Sequence, residues 1–115
     1  MGKNQLGEFE EIVMLTIGIL DKEAYSVGIK REIEARLKRT VSVGALQTAL
    51  QRLERKGFLE SREGGTSQER AGRPKRYYRI TAYGKTAIEY ARDTRNRLWE
   101  AIPSSAFKFT SVIKP

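Results

Sequence analysis

The sequence predicts a mainly α domain with one small β-hairpin, and three observations carry that expectation. Four segments space their apolar residues as helices do. A single pair of short, β-favouring runs is separated by a loop rich in Gly. The 115 residues suffice for one core, which is too little for the two-domain architectures of most nucleotide-dependent enzymes. With 39% hydrophobic and 31% charged residues, the chain lies between the compositions of disordered and of membrane proteins.

In chain order, Phe9, Ile12, Val13, Thr16 and Leu20 follow helical spacing over residues 8–20, while Leu15 and Ile19 lie on another side. So wide an apolar stripe calls for cover on two sides. Asp21, Lys22 and Glu23 form a polar turn, after which Ser26 is expected to cap a second helix carrying Ile29, Ile33 and Leu37 and fading near Lys38. Arg39, Thr40 and Val41 connect it to Ser42, a good N-cap for a third helix that stops before Gly57, a good C′ residue. At 100 degrees per residue, Val43, Leu46, Ala49, Leu50 and Leu53 share one face of that helix, and Gly44, Gln47, Thr48, Gln51, Arg52 and Arg55 take the other. Residues 58–63 and 75–81 read as strands, the second with Tyr77, Tyr78 and Ile80, joined through residues 64–74. Thr81 caps a last helix over residues 82–101, in which Ile88, Ala91, Leu98 and Ile102 approximate a seven-residue repeat until Pro103 ends it. Residues 104–115 hold Phe107, Phe109, Val112 and Ile113 without helical spacing, and are expected to fray or to lie across a partner.

Several function classes drop out on composition. The longest apolar stretch, residues 12–20, is nine long, about half of the roughly 20 that a bilayer span needs. No membrane insertion is expected, and the acidic start at Glu8, Glu10 and Glu11 is no secretion signal, so the expected location is the cytoplasm. Neither Cys nor His is present, which removes disulfides, the commonest zinc ligands, thiol nucleophiles and near-neutral general bases. No metal, cofactor or catalytic residue is expected, since Asp21 with Glu23 and Glu89 with Asp93 read as helix-end and surface carboxylates.

Charge points elsewhere. The formal net charge is +8, and residues 30–79 alone hold 14 Lys and Arg against six Glu, an excess equal to the whole. A basic patch of that size on one domain suggests a polyanion. The order helix, helix, short turn, amphipathic helix, hairpin, helix is that of a winged helix-turn-helix with an added C-terminal helix. In that arrangement the third helix turns its polar face into a DNA major groove. Gln47 and Gln51 suit adenine edges, Arg52 and Arg55 suit guanine or phosphate, and Gly44 permits close approach, with Ser42 and Thr48 beside them. The hairpin adds Arg70, Arg73, Lys75 and Arg76, suited to phosphates or a narrow minor groove.

The residues resemble the PadR-type transcriptional regulators over about residues 5–92. The carriers are LGEFEEIVMLTIG at 6–18, AYSVGIKREIE at 24–34, VSVGALQTALQRLERKGFLES at 41–61 and GRPKRYYRITAYGK at 72–85. The resemblance implies that the third helix and the wing contact double-stranded DNA, and that the first and last helices form a homodimer. Residues 1–81 would then be the DNA-binding domain, 82–103 the dimerisation helix and 104–115 a tail. Ile12, Leu15, Ile19, Ile88, Ala91, Leu98 and Trp99 would meet across the two-fold axis. Family members commonly have Tyr where this chain has Gln47, and the chain has one C-terminal helix where larger members have several, so it is similar to the short subclass. In some short members a Trp on the last helix lines a space for small aromatic effectors, a part Trp99 could take, although a Trp on an amphipathic helix also serves as an interface anchor. The expected function is a homodimeric repressor on a pseudo-palindromic operator. Its rival is a winged-helix docking module for proteins, and the basic recognition face favours DNA.

Overall fold

In the computed structural model, which describes residues 5–66 and 72–109, the elements are α1 (Glu8–Leu20), α2 (Ser26–Leu37), α3 (Val43–Arg55), β1 (Leu59–Thr66), β2 (Pro74–Ile80) and α4 (Ala82–Ala101). Single 3-10 turns lie at Asp21–Glu23 and Ser104–Phe107. The core is one cluster in which Val13, Met14 and Ile17 of α1 meet Ile29 and Ile33 of α2 and Leu46, Leu50 and Leu53 of α3, with Phe58 closing it beneath the hairpin. The buried stripe of α1 is therefore centred on Val13, Met14 and Ile17, whereas the sequence reading centred it one side over and left out Met14 and Ile17. Leu15 and Ile19, the second apolar side, are exposed, so within one protomer α1 is covered on one side and not on the two that the sequence suggests.

Helix ends follow local chemistry in three cases of four. Ser42 Oγ accepts from the Ala45 N–H at 3.0 Å and Thr81 Oγ1 from the Gly84 N–H at 3.0 Å, each satisfying a donor that the first helical turn leaves open. At the start of α1, the Glu10 carboxylate reaches back to the Gly7 N–H at 3.0 Å. Helix α2 departs from expectation. Ser26 is its first helical residue, and Tyr25, with no side-chain cap, precedes it. The reason is that Tyr25 forms an isolated antiparallel bridge with Tyr77, while Ala24 accepts from the Tyr78 N–H at 2.8 Å. Pairing with the hairpin fixes the entry to α2.

Helix α4 is laid on this body only as far as Arg95. Gly84 is its one buried residue, and every residue from Arg95 onward to Phe109 is exposed. A bidentate ion pair, Arg95 to Glu11 at 2.8 Å for both nitrogens, ties the middle of α4 to α1. On the neighbouring residue, Glu10 takes Lys56 Nζ at 2.9 Å, so one turn of α1 holds both α4 and the end of α3. The projecting helix makes the molecule long, 61 × 33 × 21 Å with a radius of gyration of 17.9 Å, against about 13 Å for a compact chain of this length.

Candidate nucleic-acid interface

Helix α3 presents its polar side to solvent. Leu46, Ala49, Leu50 and Leu53 anchor it, so rotation about its own axis is fixed by the core, and Ser42, Gly44, Thr48, Gln51, Arg52 and Arg55 are all exposed. Gln47 is half-buried at the edge of that face. Gly44, Thr48 and Arg52, four residues apart, form one wall of an open groove whose other wall is the start of α1 around Leu6, Gly7 and Phe9. Among the described residues no carboxylate pairs with Arg52 or Arg55. Their guanidinium groups are thus available for bidentate contacts to guanine or phosphate. Ser42 uses one of its two lone pairs in the cap, and its hydroxyl proton remains a donor it can offer.

One expectation about α3 fails. Val43, assigned to the core face by its angle, is 62% exposed, because it is the first helical residue and the core begins one turn later at Leu46. Glu54 is also exposed and accepts from Ser61 Oγ at 2.6 Å, linking the end of α3 to β1.

The hairpin is longer than the sequence suggests, since β1 runs through Gly64 and Gly65 to Thr66. Tyr77 explains why glycine can lie there. Its ring covers Gly64 so closely that a Cβ at that position would be 2.4 Å from the ring carbon Cε1. Tyr77 also packs on Tyr25 with ring centroids 5.7 Å apart. Cations flank the pair, with Lys75 Nζ 4.2 Å from the Tyr25 centroid and Arg62 Cζ 5.0 Å from that of Tyr77. Such contacts stabilise by about 0.5–1 kcal/mol at exposed sites and hold both side chains along one face of the wing. Strand alternation sends Arg76 to the opposite face. There it donates to Ser61 Oγ at 3.1 Å and lies 3.7 Å from a Glu63 oxygen. Lys75 and Arg76, adjacent in sequence, therefore lie on opposite faces of the wing. Arg73 is exposed at the tip, and Arg70 lies outside the described residues. Sequence reasoning missed Arg62, Tyr25 and Tyr77, and the signal was present: pairing 58–63 with 75–81 in register sets Arg62 opposite Tyr77.

The apolar residues assigned to a subunit interface divide into two sets. Ile12 and Ile88 pack partly on the core, and Ala91 is half-buried. Leu15, Ile19, Leu98 and Trp99 are exposed, the last two at 67%, and the Trp99 ring lies 5.8 Å from that of Phe107. Among the described residues no helix is long and apolar enough to cross a membrane.

Relatives agree with this architecture. An uncharacterised protein of Lysinibacillus sphaericus is 33% identical over 84 residues, 71% of this chain and 72% of the relative. The X-ray structure of a PadR-like transcription factor from Bacteroides fragilis superposes with a TM-score of 0.67 at 27% identity, over 80% of this chain and 84% of that one. A PadR-like transcriptional regulator of Bacillus cereus, at 17% identity, shares the fold with a TM-score of 0.69 over 88% and 93% of the two chains. Residues 16–90, from the middle of α1 through the hairpin into α4, match the transcriptional regulator PadR-like family, a family of regulators and not of enzymes. With helix α3, the paired hairpin and the α4 junction all inside the matched region, the chain belongs to the PadR-like family of transcriptional regulators.

Proposed function

We propose that the protein is a homodimeric repressor that binds a pseudo-palindromic operator in double-stranded DNA and blocks transcription in the cytoplasm. The observation that carries the reading is the solvent face of α3, where Gln51, Arg52 and Arg55 stand exposed with no carboxylate paired to either arginine among the described residues. Gln51 offers an amide to adenine and the arginines offer forks to guanine or phosphate. Arg62 and Lys75, held on the Tyr77 and Tyr25 rings, supply phosphate contacts from the wing, joined by Arg73 and by Arg70. Arg76 can join them at small cost, because an exposed pair such as its contact with Glu63 is worth only about 0–1 kcal/mol.

The second protomer is proposed to dock on the outer half of α4 and on Leu15 and Ile19, apolar surface that a single protomer leaves open. Two recognition helices held this way would be about 34–36 Å apart, one turn of DNA. If the dimer answers to a small aromatic effector, Trp99 and Phe107 are the side chains suited to stack on it.

Fluorescence anisotropy on duplex DNA tests the reading. A dimer making on the order of six to ten phosphate contacts should lose about three to five decades of affinity between 50 and 200 mM salt. No binding at the lower salt would end the proposal.

A further inference from the structure

We propose that Val43 reads a thymine 5-methyl group, which makes it a specificity-determining residue of α3; the inference rests on the DNA-binding function proposed above. Val43 is the first residue of α3, is 62% exposed and, among the described residues, is neither in the core cluster nor among the partly buried hydrophobics packed against it, so core burial does not account for a branched hydrocarbon at that position. Gly44 beside it has open space on its side-chain face, where an added Cβ would meet nothing within 4 Å, and Ala45 is exposed as well. The first turn thus has no polar side chain, and Ser42, just before it, accepts from the Ala45 N–H in the cap and has its hydroxyl proton left to offer. Nothing on this turn reaches farther than the two methyls of Val43.

Helix-turn-helix proteins present the N-terminal residues of the recognition helix to base edges. A turn without side-chain donors or acceptors cannot read the polar pattern of the major groove. It can read the one apolar group there, the C5-methyl of thymine. Valine suits that contact because β-branching fixes χ1 in a helix, so its methyls are held in place before the contact is made and little rotamer entropy is lost. About two and three turns on, Gln51 and Arg55 supply the polar readout. The division gives α3 an apolar reader at its tip and polar readers behind it.

The test uses an operator selected by the wild-type protein from a randomised duplex pool, then resynthesised with deoxyuridine in place of thymine at one symmetric pair of positions at a time. Deoxyuridine pairs as thymine does and lacks only the methyl. At one position, anisotropy should show the wild type binding about three- to fivefold more weakly per methyl removed, the effect of burying one such group. Val43→Ser should bind the thymine operator more weakly by a similar factor and be indifferent to deoxyuridine at that position, and Val43→Thr, which keeps one methyl, should recover part of the sensitivity. Equal affinity of Val43→Ser and wild type for random duplex would show that the variant is folded. Wild-type binding that is the same for every deoxyuridine operator, or an undiminished response in Val43→Ser, overturns the assignment and leaves the DNA-binding function intact. Absence of binding to any duplex overturns both.

Discussion

Gly57 and Gly84 are both glycine for reasons that differ. Gly57 follows α3 with φ at +83°, a left-handed conformation that ends the helix and that side chains disfavour. Gly84 is needed for space: a Cβ there would lie 2.2 Å from the Phe58 carbonyl oxygen and 3.0 Å from Met14 Cε. Because the nearer atom is backbone, Gly84→Ala must push α4 off the hairpin base, and overpacking of this kind should cost at least about 2 kcal/mol in urea denaturation. An unchanged midpoint would show that α4 does not pack where it is seen here. Glu34 has a different part, bracing the α2–α3 turn by accepting from the Val41 N–H at 2.9 Å and from Lys30 Nζ at 3.0 Å. The Val41 hydrogen bond first, and Lys30 second, hold its carboxyl below the ordinary value of 4.5. A carboxyl with a lowered folded-state pKa stabilises fully above its unfolded value and loses that contribution as pH falls through the folded value. Glu34→Gln should therefore be less stable than wild type at neutral pH, with the gap closing below pH 4.5. Denaturation curves at several pH values would show it, and a gap independent of pH would assign the effect to shape instead of charge.

Whole elements were largely legible because their signals are local. The bounds of α1 and α4 and the caps at Ser42 and Thr81 follow from apolar spacing and hydroxyl placement, as does the stop at Gly57. Where the reading missed, a tertiary contact had overruled the local rule. Pairing of Tyr25 with Tyr77 moved the start of α2 away from a Ser26 cap, and β1 continues through Gly64, which lies under the Tyr77 ring, and Gly65 to Thr66. Helical angle alone put Val43 inside, since periodicity does not reveal where along a helix the core begins. The candidate site was legible in kind and less so in grouping, for Lys75 and Arg76 adjoin in sequence but face opposite ways. Recognition helix and wing should accordingly separate on mutation. Gln51→Ala and Arg52→Ala should each cost roughly 1–3 kcal/mol of binding and relax preference at one base pair, whereas Arg73→Ala should weaken binding to most sequences alike. Selection from a randomised operator pool distinguishes the two behaviours, and intact preference in both helix variants would remove them from the readout.

At the scale of the molecule, the question is what covers the outer half of α4. Arg95, bound to Glu11, is the last residue of the helix tied to the body, and beyond it Leu98, Trp99 and Ile102 stand in solvent with Phe107 folded back on Trp99. Apolar side chains grouped on a projecting helix are costly unless buried on a partner, and a two-fold axis lets one helix answer another with the same residues. Because α4 is tied to α1, and α1 through Glu10 and Lys56 to the end of α3, a dimer built on α4 would also fix the separation of the two DNA-reading faces. Trp99→Ala should then raise the dimer dissociation constant by a factor corresponding to about 2 kcal/mol or more, if the ring is a central anchor. Operator affinity should fall with it, through mass action and without loss of a DNA contact. Sedimentation over a concentration series measures the first effect, and anisotropy at protein concentrations above the new dissociation constant should recover the second. A wild-type chain that stays monomeric at tens of micromolar, roughly the range in which a specific dimer forms, would refute the symmetric dimer, while an unshifted equilibrium in the Trp99 variant would exclude only the anchor.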